Sequence, residues 1–492
     1  MTEPTAIASE PAPPSEPTTD QSPPPTARPG GSRELITLAL PLVISQSFMT
    51  VQVLPDTLLL ARHNTDEMTA SFPAVMWYWL GFGFLSVTAG YTSTFVAQYT
   101  GAGRPHRAGP AVWQGVYFAV VAGLAFLAVV PLAGWLTSLA GHPEHIQQLE
   151  AVYLRCFAFA ALPMLVMQAI NGFFSGRGET WTVLVIEAFG TIVNVALALL
   201  LIFGRWGFPE MGIAGAGIAT VVGSWAAAGL ALVLFLRPKF RDGFATASGW
   251  VFDRDLFGRL MTYGGPAGLQ VFLDVLVFHL FTQFVGKLGD AALGATTLTI
   301  RFNMVAFLPM MGLGQAVCIL VGQRLGGDRP DLAEKSVLTG AKWSFGYMCV
   351  VAATYLLIPG VLVSGFEPEG DPEKFAAIAA LVPGLLVCVA VYSLADAINL
   401  TFAFALRGAG DTRFVTWLTF ALAWPVMVIP TAVLVTWRAE LAELFPSMGN
   451  LLYWAWGFAT AFICSMALCF VWRFRTGKWK TMRVIEPGVA EE

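Results

Sequence analysis

The sequence predicts an all-α integral membrane protein, with twelve transmembrane helices in two six-helix lobes related by a parallel pseudo-two-fold repeat. Three observations predict this. Only 12% of the 492 residues are charged against 56% hydrophobic, where soluble domains carry about 25% charge. Successive apolar stretches of 20 residues or more are each long enough to cross a hydrocarbon core of roughly 30 Å. Finally, the second half of the chain repeats the first at a fixed offset. This composition excludes a soluble enzyme, a nucleic-acid binder and a secreted cysteine scaffold.

Residues 1–32 come first. The first 30 hold nine prolines, four acids and one basic residue, Arg28, which predicts a disordered tail. The tail has neither the basic start nor the short apolar core of a signal peptide. Twelve spans are then expected at about 35–61, 69–99, 110–133, 150–173, 181–204, 212–236, 257–285, 292–322, 338–365, 376–405, 413–436 and 448–472. They divide into an N-lobe (33–236), a linker (237–256), a C-lobe (257–472) and a C-terminal tail (473–492) that is basic and then acidic.

Lysine and arginine set the expected orientation. The even-numbered connections hold 14, including Arg104, Arg107, Arg177, Arg324 and Arg407, and the odd-numbered ones five. Both termini are therefore expected in the cytoplasm of a multi-pass plasma (inner) membrane protein, with the acidic FEPEGDPEK connection outside. The six cysteines all lie in apolar segments and form no CxxC pair, and the five histidines show no metal spacing. No cofactor is expected.

A shift of 225 lays VAQYTGAGRPHRA (96–108) on VGQRLGGDRPDLA (321–333), matching Gln98 with Gln323 and Gly101 with Gly326. The same shift lays Pro41 on Pro266, and a slightly larger one lays GRGET (176–180) on GAGDT (408–412). Six spans separate equivalent positions, so both copies share one orientation, as in many secondary transporters. A cavity between the lobes is expected.

A charge at mid-bilayer costs about 2.5–3.5 kcal/mol on insertion scales, so such residues mark candidate sites. Asp56, Glu187, Asp274, His279, Arg301 and Asp396 qualify. Tyr392, Asp396 and Asn399 share one helical face, a column able to hold a small cation or a proton. Asp274 can join Asp396 around one site, with their titrations coupled. Arg301 is read as an internal counter-ion, a substrate contact or an interfacial snorkel. Pro55 beside Asp56 suggests a local helix break. Glu187 is expected near the cytoplasmic interface. In span two, Phe72, Trp77, Tyr78 and Trp79 are candidate aromatic contacts for a cationic substrate, or else interface anchors.

ALPLVISQ with Asp56, VAQYTGAGR after span two, LRGAGDTR after span ten and the six-plus-six repeat resemble the multidrug and toxic compound extrusion (MATE) family, over about residues 33–475. The resemblance is to its NorM-like branch. It implies a secondary antiporter that exports organic, often cationic or amphipathic compounds in exchange for Na⁺ or H⁺. It also implies an acidic residue in helix seven and a Tyr-xxx-Asp in helix ten, matched here by Asp274, Tyr392 and Asp396 as the coupling site and possible Na⁺ ligands. The helix-one aspartate matches Asp56. The helix-five asparagine matches Asn194, but the family's following aspartate is replaced by Ala198, which shifts the expected site to the C-lobe. Sodium is slightly favoured over protons. The expected partners are small organic substrates, the coupling ion and the lipid bilayer, with no nucleic acid, and the chain is expected to be monomeric. It is not expected to be an enzyme, since it has no P-loop or nucleophile elbow. The alternative is a flippase for a lipid-linked precursor, against which the scarcity of mid-span cations argues.

Overall fold

The computed structural model describes residues 29–139, 141–364, 372–440 and 450–487. The expected disorder of the first residues, and most of the FEPEGDPEK connection, fall outside these.

Among the described residues, twelve long helices run in chain order: α1 Ser32–His63; α2 Thr65–Gly90, resumed after a break at Tyr91 as Thr92–Gly101; α3 Ala108–Phe126, extended by Val129–Ser138; α4 Glu144–Gly176; α5 Thr180–Leu201; α6 Gly212–Phe235; α7 Arg254–Gly286; α8 Asp290–Gly326; α9 Pro330–Leu357; α10 Pro372–Ala409; α11 Thr412–Leu422, which continues through a π-turn at Ala423–Val428 to Ile429–Thr436; and α12 Leu451–Arg475. Among the described residues, ten helices are long and apolar enough to cross a membrane. Helix α9 carries Asp331, Glu334, Lys335 and Lys342 in its first half. Helix α9 begins eight residues earlier than expected and ends at Leu357. Helix α1 runs on through Pro55 to His63, so the expected break beside Asp56 does not occur. One lost backbone donor can be absorbed inside a packed membrane helix.

Packing repeats between the halves. In the first, α4 touches α2, α3 and α6, and α5 touches α1; in the second, α10 touches α8, α9 and α12, and α11 touches α7. The lobes meet where α1 crosses α8 and α7 crosses α2. Each lobe has its own apolar core, one around Phe173, Phe174 and Phe235, the other around Phe281, Trp456 and Phe470.

The repeat axis is visible in single bonds. Gln98 Nε2 donates to the Gly408 carbonyl at 3.0 Å, and Gln323 Nε2 donates to the Gly176 carbonyl at 2.8 Å. A Cβ on Gly101 would lie 1.8 Å from the Gln323 carbonyl oxygen, and one on Gly326 would lie 2.0 Å from that of Gln98. Each repeat thus seats its glycine on the other repeat's glutamine. The turns after α4 and α10 match too: Gly178 and Gly410 take φ of 86° and 98°, a left-handed conformation that glycine alone adopts freely.

The described ends of the chain lie on this same face, called here the termini face. Glu34 of α1 pairs with Arg324 of α8, and Lys335 Nζ donates to the Pro29 carbonyl at 3.1 Å. After α12 the chain folds back under both lobes. Trp479 stacks on Phe474 with centroids 4.6 Å apart, Arg483 pairs with Asp328 at 2.8 Å, and the Val484 amide donates to Gln98 Oε1 at 2.9 Å. Glu486 then takes the Tyr99 hydroxyl at 2.6 Å and Arg107 Nε at 3.1 Å, while Arg104 donates to its carbonyl at 2.8 Å.

Candidate functional site

In the second lobe, the charge of Asp396 on α10 acts on Asp274 of α7. Asp396 is buried and accepts the Asn399 amide at 3.0 Å, as their i, i+3 spacing requires. The Asn399 Oδ1 is left without a hydrogen-bond partner. Tyr392, one turn earlier, is buried with its ring stacked 6.3 Å from Trp456 of α12. Trp456 is itself fixed by a 3.1 Å bond from its indole N–H to Thr296 of α8. Tyr392, the first member of the column expected on α10, is therefore held by a tryptophan of α12 that is itself bonded to α8.

The positive charge that acts on Asp274 belongs to Arg407. Its Nη2 and Nε donate to Gln270 Oε1 at 2.8 and 3.2 Å, and Gln270 lies one turn from Asp274 on α7. Arg407, expected in the connection after span ten, belongs to the last turn of α10 and is half-buried, with its carbonyl accepting the Tyr91 hydroxyl at 2.7 Å. Arg301 and His279 are exposed on their helices.

The first lobe holds a sparser set. Asp56 is buried, its Oδ1 has no hydrogen-bond partner, and its charge acts on Tyr153 of α4. Asn194 Nδ2 donates to Thr220 Oγ1 at 3.1 Å, leaving its Oδ1 free of a partner. Glu187, half-buried, takes the Ser45 hydroxyl and, at 3.4 Å, the Asn171 amide. The polar residues Ser45 and Asn171 inside apolar spans were the available signal for it. Tyr78 sits in the core of this lobe, stacked on Phe82 at 4.5 Å, with its hydroxyl 3.2 Å from the Met164 sulfur. Trp77 and Trp79 are half-buried, and Phe72 is exposed.

Two six-helix lobes of like orientation, each with ionisable groups sunk among membrane helices, define a multi-pass carrier. The chain belongs to the MatE family, whose model matches residues 41–200 and 266–434, one segment in each lobe. It is 28% identical to the multidrug resistance protein PmpM of Pseudomonas aeruginosa, over 80% of this chain and 82% of that protein. It is 30% identical to a probable multidrug resistance protein NorM of Bradyrhizobium diazoefficiens, over 77% and 81%. The fold is that of a MOP superfamily transporter from Pyrococcus furiosus, with a TM-score of 0.80 at 18% identity, over 93% of this chain and 98% of that one. A structure described as the outward-facing conformation of a multidrug resistance MATE family transporter also gives 0.80, over the same shares, at 17%.

Proposed function

We propose that this protein is a multidrug efflux antiporter that exports organic cationic or amphipathic compounds in exchange for Na⁺ or H⁺. The observation that carries this reading is the pair Asp274 and Asp396, interacting inside one lobe of a MatE-family carrier with Arg407 held one turn away at Gln270. A cation bound between the carboxylates, with Tyr392 and Asn399 Oδ1 as further oxygen ligands, offsets their repulsion. Its departure leaves Asp274 to the guanidinium. Coupling follows if ion and substrate favour different states of the two lobes, since equal affinity for both shifts nothing. Asp56 serves substrate exchange or a second proton site, and the half-buried Trp77 and Trp79 of α2 supply aromatic contacts to a cationic substrate.

The functional halves are taken as 33–236 and 257–472, with 237–256 as the linker. The termini face, rich in Lys and Arg, is taken as cytoplasmic in a bacterial-type inner membrane, with the chain monomeric. The bonds joining the lobes on that face fit a carrier open to the outside.

The test is substrate efflux from sealed proteoliposomes under a Na⁺ gradient or a pH gradient, each imposed alone. Asp396→Asn and Asp274→Asn each keep the side-chain shape and remove most gradient-driven transport. Full transport by both variants overturns the site. Transport driven by a pH gradient in Na⁺-free buffer keeps the site and assigns the ion as the proton.

A further inference from the structure

The Glu187 cluster in the first lobe has no place in that mechanism. It joins three helices: Glu187 on α5, Ser45 on α1 and Asn171 on α4. Ser45 and Asn171 are 2% and 4% exposed. Among the described residues no Lys, Arg or His pairs with Glu187, and no other charge acts on it. The Asn171 Oδ1, though buried, has no hydrogen-bond partner. A half-buried carboxylate among membrane helices with only neutral neighbours is costly, and it is neutralised either by a proton or by a bound cation.

The donor set fits a particular charge. The carboxylate, a hydroxyl and an amide oxygen are all hard ligands, and turning the Asn171 amide about its last bond aims Oδ1 at Glu187, an orientation that coordinates alone do not fix. One negative charge with neutral oxygens suits a monovalent ion rather than a divalent one. Among the described residues, no three His, Cys, Asp or Glu side chains gather at one point. Glu187 lies two turns from Asn194 along α5, and Ser45 three turns from Asp56 along α1, so the cluster is separate from both.

From these observations we infer that Glu187, Ser45 and Asn171 form a binding site for a small hard monovalent metal cation of the Na⁺ class, distinct from the pair Asp274–Asp396. Its position gives it a mechanical output. Two residues before Ser45, the backbone of Val43 presses on Gly312 of α8, where an added Cβ would lie 2.7 Å from the Val43 nitrogen. A cation that takes Ser45 as ligand therefore holds α1 at the point where α1 crosses into the other lobe.

The test is equilibrium binding of radioactive ²²Na⁺ to the purified full-length chain in lipid nanodiscs, with proton uptake followed in parallel. The inference does not need the Asp274–Asp396 reading. The wild type binds two Na⁺ per chain if both sites exist. Glu187→Gln, which keeps size and hydrogen bonding, removes one; Asp274→Asn/Asp396→Asn removes the other. Should the double variant leave the count unchanged while Glu187→Gln still removes one ion, the second-lobe reading fails and this one stands. Ser45→Ala, a smaller perturbation, weakens the Glu187-dependent ion about tenfold, on the order of one lost oxygen ligand. Unchanged Na⁺ stoichiometry and affinity in Glu187→Gln overturns the site, and so does a loss confined to one proton taken up.

Discussion

Tyr99 donates its hydroxyl to Glu486 at 2.6 Å, across 387 positions of sequence. The phenol belongs to the last turns of α2 and the carboxylate to the tail beyond α12, so this bond ties the end of the chain to the opposite lobe. Truncation after Met482 removes it together with the Arg104, Arg107, Gln98 and Asp328 contacts. We expect a lower Tm by intrinsic fluorescence. We also expect faster maleimide labelling, read by mass spectrometry, at Cys318, which is buried 3.7 Å from Thr94 between the lobes.

The tail contact should also loosen in acid. Partial burial pushes the Glu486 carboxyl up, but the Tyr99 hydroxyl, a backbone N–H and the Arg107 and Arg104 charges outweigh it, holding it below its ordinary 4.5. A depressed carboxylate stabilises the folded form fully above that ordinary value. The contribution is lost as pH falls through the lower, folded value. Glu486→Gln should flatten this acid limb in a plot of Tm against pH, and a wild-type limb that persists unchanged in the variant would assign it elsewhere.

Gly101→Ala and Gly326→Ala each push a methyl group into a backbone carbonyl of the other lobe, which cannot yield as a flexible side chain does. Overpacking of this kind costs about 1–3 kcal/mol. Each variant should insert into the membrane, hold the termini face ajar, and lose most transport in the proteoliposome assay. Gly103→Ala, with no atom within 4 Å of an added Cβ, carries only the strain of its φ of 66° and is the comparison.

Arg407→Gln removes the guanidinium that acts on Asp274. If that charge competes with the coupling cation, the variant binds ²²Na⁺ about tenfold tighter or more at the second-lobe site, since a unit charge acting through an effective dielectric near 20 is worth about 4 kcal/mol at 4 Å and less in proportion farther away. It should also transport more slowly, because the ion is no longer displaced. Arg407→Lys keeps the charge without the two-pronged grip on Gln270, and should fall between the two.

The repeat was the most legible part of this chain, because glutamine, glycine and Arg-Pro recur at one offset and the structure uses them in the same places. The Tyr392–Asp396–Asn399 column was readable from helical spacing alone. Arg407 and Glu187 were not. A cation two residues from a helix end looks solvated in sequence, but α7 passes beside it and supplies Gln270. A carboxylate two turns into α5 looks interfacial until α1 and α4 bring Ser45 and Asn171 to it. The break at Tyr91 follows Gly90, but glycine is common enough in membrane helices that it does not announce a break.

The exchange of bonds between Gln98–Gly408 and Gln323–Gly176 has a consequence for speed. Two identical latches placed on opposite sides of one axis cannot be undone in sequence without tilting the lobes about the latch that remains. That tilt would drive Gly101 or Gly326 further into the backbone it already touches. Opening of this face should therefore be a single concerted event with one barrier, and single-molecule recordings across the seam should show two dwell levels and no third.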